Sequence, residues 1–275
     1  MVEPKTFNFQ LVNGRLSAEQ REHFYMEMKH VVVNVEVLDG DVYDCQGGGV
    51  FISPEGHVLT LLHMLLDAQG KVVKKLRVKT NKGETYQASI KSFDETLGLA
   101  LLNLSGPRLI KTRFPFARIC TDELKIGEEI YPIGHPGYLD FSFPIGHISF
   151  PCREYDEVCN SLNTKLVILD SLERKAKSKL DVSAQYICYV DHLSCLHGLS
   201  KSVCFVMVNN VHGDGREGAS GMPFFNNRGE IIGMYYFLAH DQCFGIHAKT
   251  LYSFAIDKKH RSGLKDHTST SKSDA

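Results

Sequence analysis

The chain has 275 residues, of which 43% are hydrophobic, and its formal net charge at pH 7 is -1. This length and apolar content suffice for one large β domain, or for two small ones, with a well-buried core. The near-zero charge gives no support for nucleic-acid binding. Residues 1–20 lack the continuous apolar run that a signal peptide or a membrane span requires, so neither is predicted.

A capping box at Ser17 and Gln20 predicts a short helix that ends at about Lys29. Short apolar, β-branched segments separated by glycine-containing turns then predict a series of strands. In the first half of the chain these strands are expected at 31–37, 47–53, 57–62, 76–80 and 85–93, with a turn over 39–44.

The second half of the chain continues the pattern. Strands are expected at 201–209, 229–236 and 242–248, and a helix at 250–259. Residues 152–200 fit least well, because 163–180 has helical apolar spacing and a basic stretch that is typical of a solvated helix face. Many short strands with glycine turns predict an all-β barrel or sandwich, and the polar residues 259–275 are predicted to be disordered.

The eight cysteines, in the absence of a secretory signal, are expected to be free thiols. The sequence therefore predicts a reducing compartment, cytoplasmic or nuclear. Metal-binding residue types cluster at Cys188, His192, Cys195 and His197. Zinc is the weaker interpretation, because their spacing contains no Cys-x-x-Cys pair. We predict no metal and no cofactor.

Ser220 lies in a glycine-flanked turn from Gly218 to Pro223, between a polar loop and an apolar strand. A fixed hydroxyl with backbone N–H groups free to converge on one point is what acyl transfer requires. The stretch resembles the Gly-Asx-Ser-Gly-Gly-Pro loop of trypsin-like serine peptidases, above all in their HtrA/Deg branch. Ala219 replaces the Asx residue, and Met222 replaces the second glycine.

A second resemblance lies upstream, from Gly48 to Leu65, and places His63 at the general-base position of the same family. Alone, His63 in an apolar run would be interpreted as a core histidine, but the matched register favours the family role. Secreted trypsin relatives have a cysteine directly after this histidine. Here that position is Met64, which agrees with a reducing compartment.

The third member of the family's triad is missing. Residues 93–102 resemble the segment that carries the aspartate orienting the histidine, and Gly98 occupies its position. Without a carboxylate, nothing fixes the imidazole tautomer or compensates the imidazolium that forms. Asp94 is one candidate substitute, although it also fits an exposed turn residue. Asp67, shortly after His63, is a weaker candidate.

The resemblance also implies strands at 128–136 and 143–149, and it implies the rest of the site. The backbone N–H groups of Gly218 and Ser220 would form the oxyanion hole. Asp214, six positions before Ser220, would line the substrate pocket and select Lys or Arg side chains. Alternatively, Asp214 is a turn residue or a partner of Arg216. His135 is expected to be a turn residue beside the cleft.

Together these observations predict an all-β fold of two packed antiparallel β-barrels with short N- and C-terminal helices. The expected divisions are a helical extension over 1–29, a first barrel over 30–115, a second barrel over 116–258 with an insertion at 152–200, and a tail over 259–275.

Two functions follow from that architecture. One is a weak or specialised serine endopeptidase that uses a Ser220–His63 dyad. The other is an inactive pseudo-peptidase that binds a protein or peptide partner in the cleft between the barrels. HtrA relatives often trimerise, so a homo-oligomer is also possible. An α/β-hydrolase using Ser220, Asp241 and His247 is excluded, because Met222 breaks the Gly-x-Ser-x-Gly elbow.

Overall fold

The structure is a computed structural model that describes residues 2–39, 42–67, 70–73, 75–106, 109, 112–163, 196, 198–209, 218–239 and 242–256. Four features discussed above lie outside these residues: the basic stretch of the insertion, the Cys/His cluster, Asp214 and the tail over 259–275. Within the described part of the chain, no helix has the length and apolar character needed to cross a lipid bilayer.

The first half of the chain forms a closed, six-stranded antiparallel barrel in the order β1-β2-β3-β6-β5-β4. Its core is filled by fully buried side chains that include Phe51, Leu61 and Leu102. The strands are β1 (Val32–Asp39), β2 (Val42–Phe51), β3 (Val58–Leu61), β4 (Leu76–Thr80), β5 (Thr85–Asp94) and β6 (Leu99–Ser105).

The second half forms a six-stranded antiparallel sheet in the order β10-β11-β12-β9-β8-β7. A hydrogen bond from Tyr131 N to Phe225 O, 2.9 Å long, links its two ends into a second barrel. The strands are β7 (Glu129–Ile130), β8 (Gly146–Glu154), β9 (Cys204–Asn209), β10 (Pro223–Phe225), β11 (Ile231–Ala239) and β12 (Gln242–His247). The predicted class of fold, two packed antiparallel barrels, is confirmed.

Three helices flank the barrels in the described residues: α1 (Ala18–Met28), α2 over 155–163 and α3 (Ala248–Ile256). The capping box predicted for α1 is present, with the Ser17 side chain accepting from Gln20 N and the Gln20 side chain accepting from Ser17 N. On its buried face, Phe24 packs against Tyr131 of the second barrel with the ring centroids 5.0 Å apart.

The segment before α1 also contacts the second half of the chain. Lys5 N donates to Phe116 O at 2.8 Å, and Phe7 N donates to Arg228 O at 3.1 Å. Since β1 follows α1 directly, the N-terminal segment joins the two barrels along one side of the molecule.

Several predicted boundaries are wrong, including the following two. Residues 42–44, expected in a turn, begin β2. Of the strand expected at 128–136, only Glu129–Ile130 is a strand. The residues from Tyr131 to His135 are irregular but buried, because they run beneath the loop that precedes β10.

Candidate active site

His63 begins a short 3-10 turn, His63–Leu65, directly after β3. The next two residues, Met64 and Leu65, are buried and anchor the turn in the core. Leu62 N donates to Gly98 O at 2.9 Å, which fixes the approach to this turn against the start of β6. The His63 side chain is thus carried by the rigid end of a strand.

The loop that carries Ser220 packs directly on the first barrel. Gly48 N donates to Ser220 O at 2.7 Å. A Cβ atom at Gly48 would lie 2.8 Å from the backbone of Gly221, so only glycine permits this approach of β2 to the loop. The contact places the serine of the second barrel beside the histidine of the first.

Met222, which departs from the family's loop sequence, is accommodated by a second glycine. Its side chain is fully buried. A Cβ atom at Gly134 would lie 2.5 Å from Met222 Cγ, so the methionine fills the space above that glycine. The loop itself keeps a tight turn, in which Met222 N donates to Ala219 O at 3.1 Å.

His63 Nε2 lies 3.2 Å from Ser220 Oγ, within hydrogen-bonding distance across the two barrels. Burial lowers the pKa of His63 from 6.5 to about 4, so the ring is neutral at physiological pH. On the opposite side of the ring, Nδ1 is buried and has no hydrogen-bond partner among the described residues. Among the described residues, the pair is thus a dyad with no third hydrogen-bonded member.

Hydrophobic and aromatic side chains surround Gly98, the residue that the sequence comparison predicts in place of the family's aspartate. Gly98 has φ +68°, and a Cβ atom there would lie 3.0 Å from Leu199 Cδ2 and 3.4 Å from the Tyr236 hydroxyl. The Tyr236 ring meets the His63 ring edge-on, with the centroids 5.2 Å apart. The imidazole therefore has an aromatic neighbour in place of a carboxylate.

Neither candidate substitute for the aspartate reaches the histidine. Asp94 Oδ1 accepts from Thr96 N at 2.8 Å and from Leu97 N at 3.0 Å, which caps the loop before β6. Asp67 Oδ1 accepts from Lys71 N at 2.9 Å. Because His63 Nδ1 has no partner, the prediction that Asp94 completes the triad is wrong; short polar side chains prefer nearby backbone donors.

The two predicted oxyanion donors lie next to the dyad. Gly218 has φ +91°, and a Cβ atom there would lie 2.3 Å from His135 O. Within the described residues, the backbone N–H groups of Gly218 and Ser220 donate to no other group. Among the described residues, both N–H groups therefore remain unpaired.

His135 was expected to be a turn residue, but its side chain is completely buried. Its Nδ1 lies 3.1 Å from Asp140 Oδ1, and its carbonyl oxygen forms one wall of the Gly218 turn. The sequence offered a weak signal at most, because His135 and Gly218 are remote in the chain.

One group of side chains has the donor atoms of a metal site, in the part of the chain that the structure describes. Cys120, Asp122 and Glu230 place one ligand atom each within 4.8 Å of one another. Arg228 already bonds to both carboxylates, at 2.6 Å from each, so a guanidinium occupies their oxygens and offsets part of their charge. This arrangement does not fit a cation.

A histidine at the end of a strand in one barrel, bonded to a serine in a glycine-rich loop of a second barrel, defines a serine peptidase domain of the chymotrypsin fold. The family model for the trypsin-like peptidase domain matches residues 47–234, more than half of the chain. The chain belongs to this family.

Individual relatives are distant. A probable periplasmic serine endoprotease, DegP-like, from Ectopseudomonas mendocina is 32% identical over 103 residues, covering 38% of this chain and 20% of that protein. The serine protease HTRA4 of Mus musculus is 26% identical over 110 residues, covering 40% and 21%. The matched part thus spans about a fifth of the length of these curated relatives.

Solved structures match nearly the whole chain. The serine endoprotease from Yersinia pestis superposes with a TM-score of 0.58 at 19% identity, covering 90% of this chain and 68% of that one. The Rv3671c protease of M. tuberculosis, in an inactive form, gives a TM-score of 0.57 at 17% identity, covering 87% and 95%. At these identities the likeness establishes the fold.

Proposed function

We propose that this protein is a serine endopeptidase of low turnover, in which Ser220 and His63 act as a dyad on a peptide or protein bound between the barrels. The observation that carries the proposal is the distance of 3.2 Å between His63 Nε2 and Ser220 Oγ. The available N–H groups of Gly218 and Ser220 support it, because acyl transfer needs both a nucleophile and donors for the developing oxyanion.

The reaction proceeds through an acyl-enzyme. Ser220 Oγ bonds to the scissile carbonyl carbon while its proton passes to His63 Nε2, and the carbonyl electron pair moves onto oxygen. As the C–N bond breaks, His63 returns the proton to the leaving amine. Water then repeats the two steps on the ester and releases the second product.

The missing carboxylate explains why turnover is expected to be low. Nε2 can accept the serine proton only in the tautomer that carries hydrogen on Nδ1, and Nδ1 is buried with no acceptor among the described residues. In addition, a histidine with a pKa of about 4 is a weak base, so proton transfer from serine is unfavourable.

The same two features favour the second candidate, a pseudo-peptidase that binds peptides without cleaving them. Labelling of the purified protein with a fluorophosphonate separates the two functions, because the probe requires an activated serine. We expect slow labelling that is lost in Ser220→Ala and strongly reduced in His63→Ala. A protein that remains unlabelled at pH 9, where His63 is neutral, would establish the binding function instead.

Three finer expectations belong to this proposal. If Asp214 lines the substrate pocket, peptides with Lys or Arg before the cleaved bond should be cut faster than those with Val or Leu. A cytoplasmic or nuclear location is proposed, because the five cysteines whose side chains are described carry free thiols, as is typical of a reducing compartment. Sedimentation of the purified protein would test the possible homo-oligomer.

A further inference from the structure

One face of the first barrel presents polar side chains toward the second barrel, close to the nucleophile loop. Asn34 of β1 is paired with Lys79 of β4 and with Gly48 of β2 in the strand register. Gln46, two residues before Gly48, is therefore a diagonal neighbour of Asn34 on the same face. Asp140 of the second barrel lies opposite these side chains and bonds to two of them.

The Asp140 carboxylate is ionised and acts only as an acceptor. Its contacts are His135 Nδ1 at 3.1 Å, Lys79 Nζ at 3.1 Å and Asn34 Nδ2 at 3.0 Å. The hydrogen bond from His135, helped by the one from Lys79, lowers the pKa of Asp140 to about 2 against the opposing effect of burial.

This acceptor determines the orientation of the Asn34 side-chain amide and, through it, that of Gln46. A carboxylate cannot donate, so Asn34 must turn its NH2 group toward Asp140. The same NH2 group donates to Gln46 Oε1 at 2.9 Å. Gln46 therefore presents its oxygen to Asn34, and its own NH2 group is directed away from the network.

The NH2 group of Gln46 ends beside the proposed oxyanion hole. Gln46 Nε2 lies 3.4 Å from the position that a Cβ atom on Gly218 would take. It is buried and has no hydrogen-bond partner among the described residues. Buried amide donors are rarely left unpaired, because the lost hydration is not recovered. Such a donor next to Gly218 is suited to an acceptor that arrives with a ligand.

We propose that Gln46 is a catalytic residue whose side-chain amide is a third hydrogen-bond donor to the oxyanion, beside the N–H groups of Gly218 and Ser220. The inference rests on the proposed peptidase function. Gln46 exchanges no proton with the substrate. It stabilises the negative charge that the carbonyl oxygen acquires when the Oγ–C bond forms, a role that side-chain amides can fill. In a site without the triad carboxylate, stabilisation of the oxyanion carries more of the catalysis.

The test is the rate at which a fluorophosphonate labels Ser220, since the phosphoryl oxygen of the probe occupies the oxyanion position. Gln46→Leu keeps the volume and removes the donor. Gln46→Glu keeps an acceptor for Asn34 and replaces the donor by an anionic oxygen. Loss of one oxyanion donor lowers turnover about 10²–10³-fold; we expect at least about 10²-fold slower labelling of Gln46→Leu. Gln87→Leu, the same change at an exposed position of β5, is the matched control and should label at the wild-type rate.

A second readout separates a catalytic role from a structural one. With a peptide substrate, Gln46→Leu should lower kcat and leave KM nearly unchanged, because the bond is made in the transition state. If the wild type is labelled and Gln46→Leu is labelled at the same rate, this inference is overturned and the proposed function stands. If the wild type is not labelled, both are overturned. If Gln46→Leu does not fold, Asn34→Ala decides: it removes the contact that orients Gln46, and labelling at the wild-type rate would overturn the inference.

Discussion

A carboxylate introduced at position 98 should increase the reactivity of Ser220. Burial lowers the pKa of His63 from 6.5 to about 4. The imidazolium that must form during attack is therefore disfavoured by roughly 3 kcal/mol. Each factor of ten in rate corresponds to about 1.4 kcal/mol. A carboxylate that removes this penalty should accelerate the reaction of Ser220 by roughly 10²–10³-fold.

The surroundings of Gly98 determine how the variant is made. A Cβ atom there would lie 3.0 Å from Leu199 Cδ2, so Gly98→Asp is combined with Leu199→Ala to provide space. The backbone has φ +68° at this position. Aspartate tolerates that conformation at a cost of about 1 kcal/mol in stability. Gly98→Asn with Leu199→Ala has the same shape without the charge and is the matched control.

The assay is the rate constant for fluorophosphonate labelling between pH 4 and pH 9. In the parent protein, labelling should rise from about pH 4, where His63 loses its proton, and stay level through neutrality. In the aspartate variant the carboxylate raises the pKa of His63, so the rise should move toward neutral pH while the plateau increases. Equal rates and equal pH profiles for the Asp and Asn variants would refute the reasoning.

Three further predictions concern stability. Between pH 6.5 and about 4 the unfolded chain binds a proton at His63 that the folded protein does not. The free energy of unfolding should therefore decrease as the pH is lowered, and at pH 5 it should be about 2 kcal/mol below its value at neutral pH. Urea titrations should show that this decrease is absent in His63→Asn. Phe24→Ala should lower the free energy of unfolding by about 3–5 kcal/mol, because the ring is fully buried between α1 and the second barrel. The loss should be visible as a lower thermal midpoint. A change below about 1 kcal/mol would mean that α1 is not an integral part of the fold. Met222→Ala should lower the free energy of unfolding by about 2–5 kcal/mol and slow the labelling of Ser220, because the side chain fills the space above Gly134. Unchanged stability and labelling would show that the loop does not depend on this side chain.

The predictions from sequence held best where one segment carries its own context. The structure brings His63 and Ser220 within 3.2 Å of each other, and each lies in a strand-and-turn segment with glycines at fixed positions. The helix α1 was predicted for a similar reason, since the capping box is a local pattern. By contrast, the turn predicted over 39–44 was wrong because its polar residues extend into β2.

Features that depend on contacts between distant segments were not predictable in this way. His135 is buried because its carbonyl meets Gly218, and Tyr236 contacts His63 across the barrel boundary. Neither residue has a local pattern that distinguishes it from an ordinary turn or strand residue. The family resemblance predicts that the aspartate is replaced by Gly98, but only the fold shows that Leu199 and Tyr236 surround that position.

The attachment of the N-terminal segment to Arg228 has a consequence for how the protein matures on the ribosome. All strands of the first barrel have been synthesised once Ser105 has emerged, and a domain can begin to fold at that stage. The start of the chain, however, reaches its final place only when Arg228 is available. The serine hydroxyl is synthesised shortly before that residue, so a nascent chain cannot assemble the dyad until both barrels have largely been synthesised.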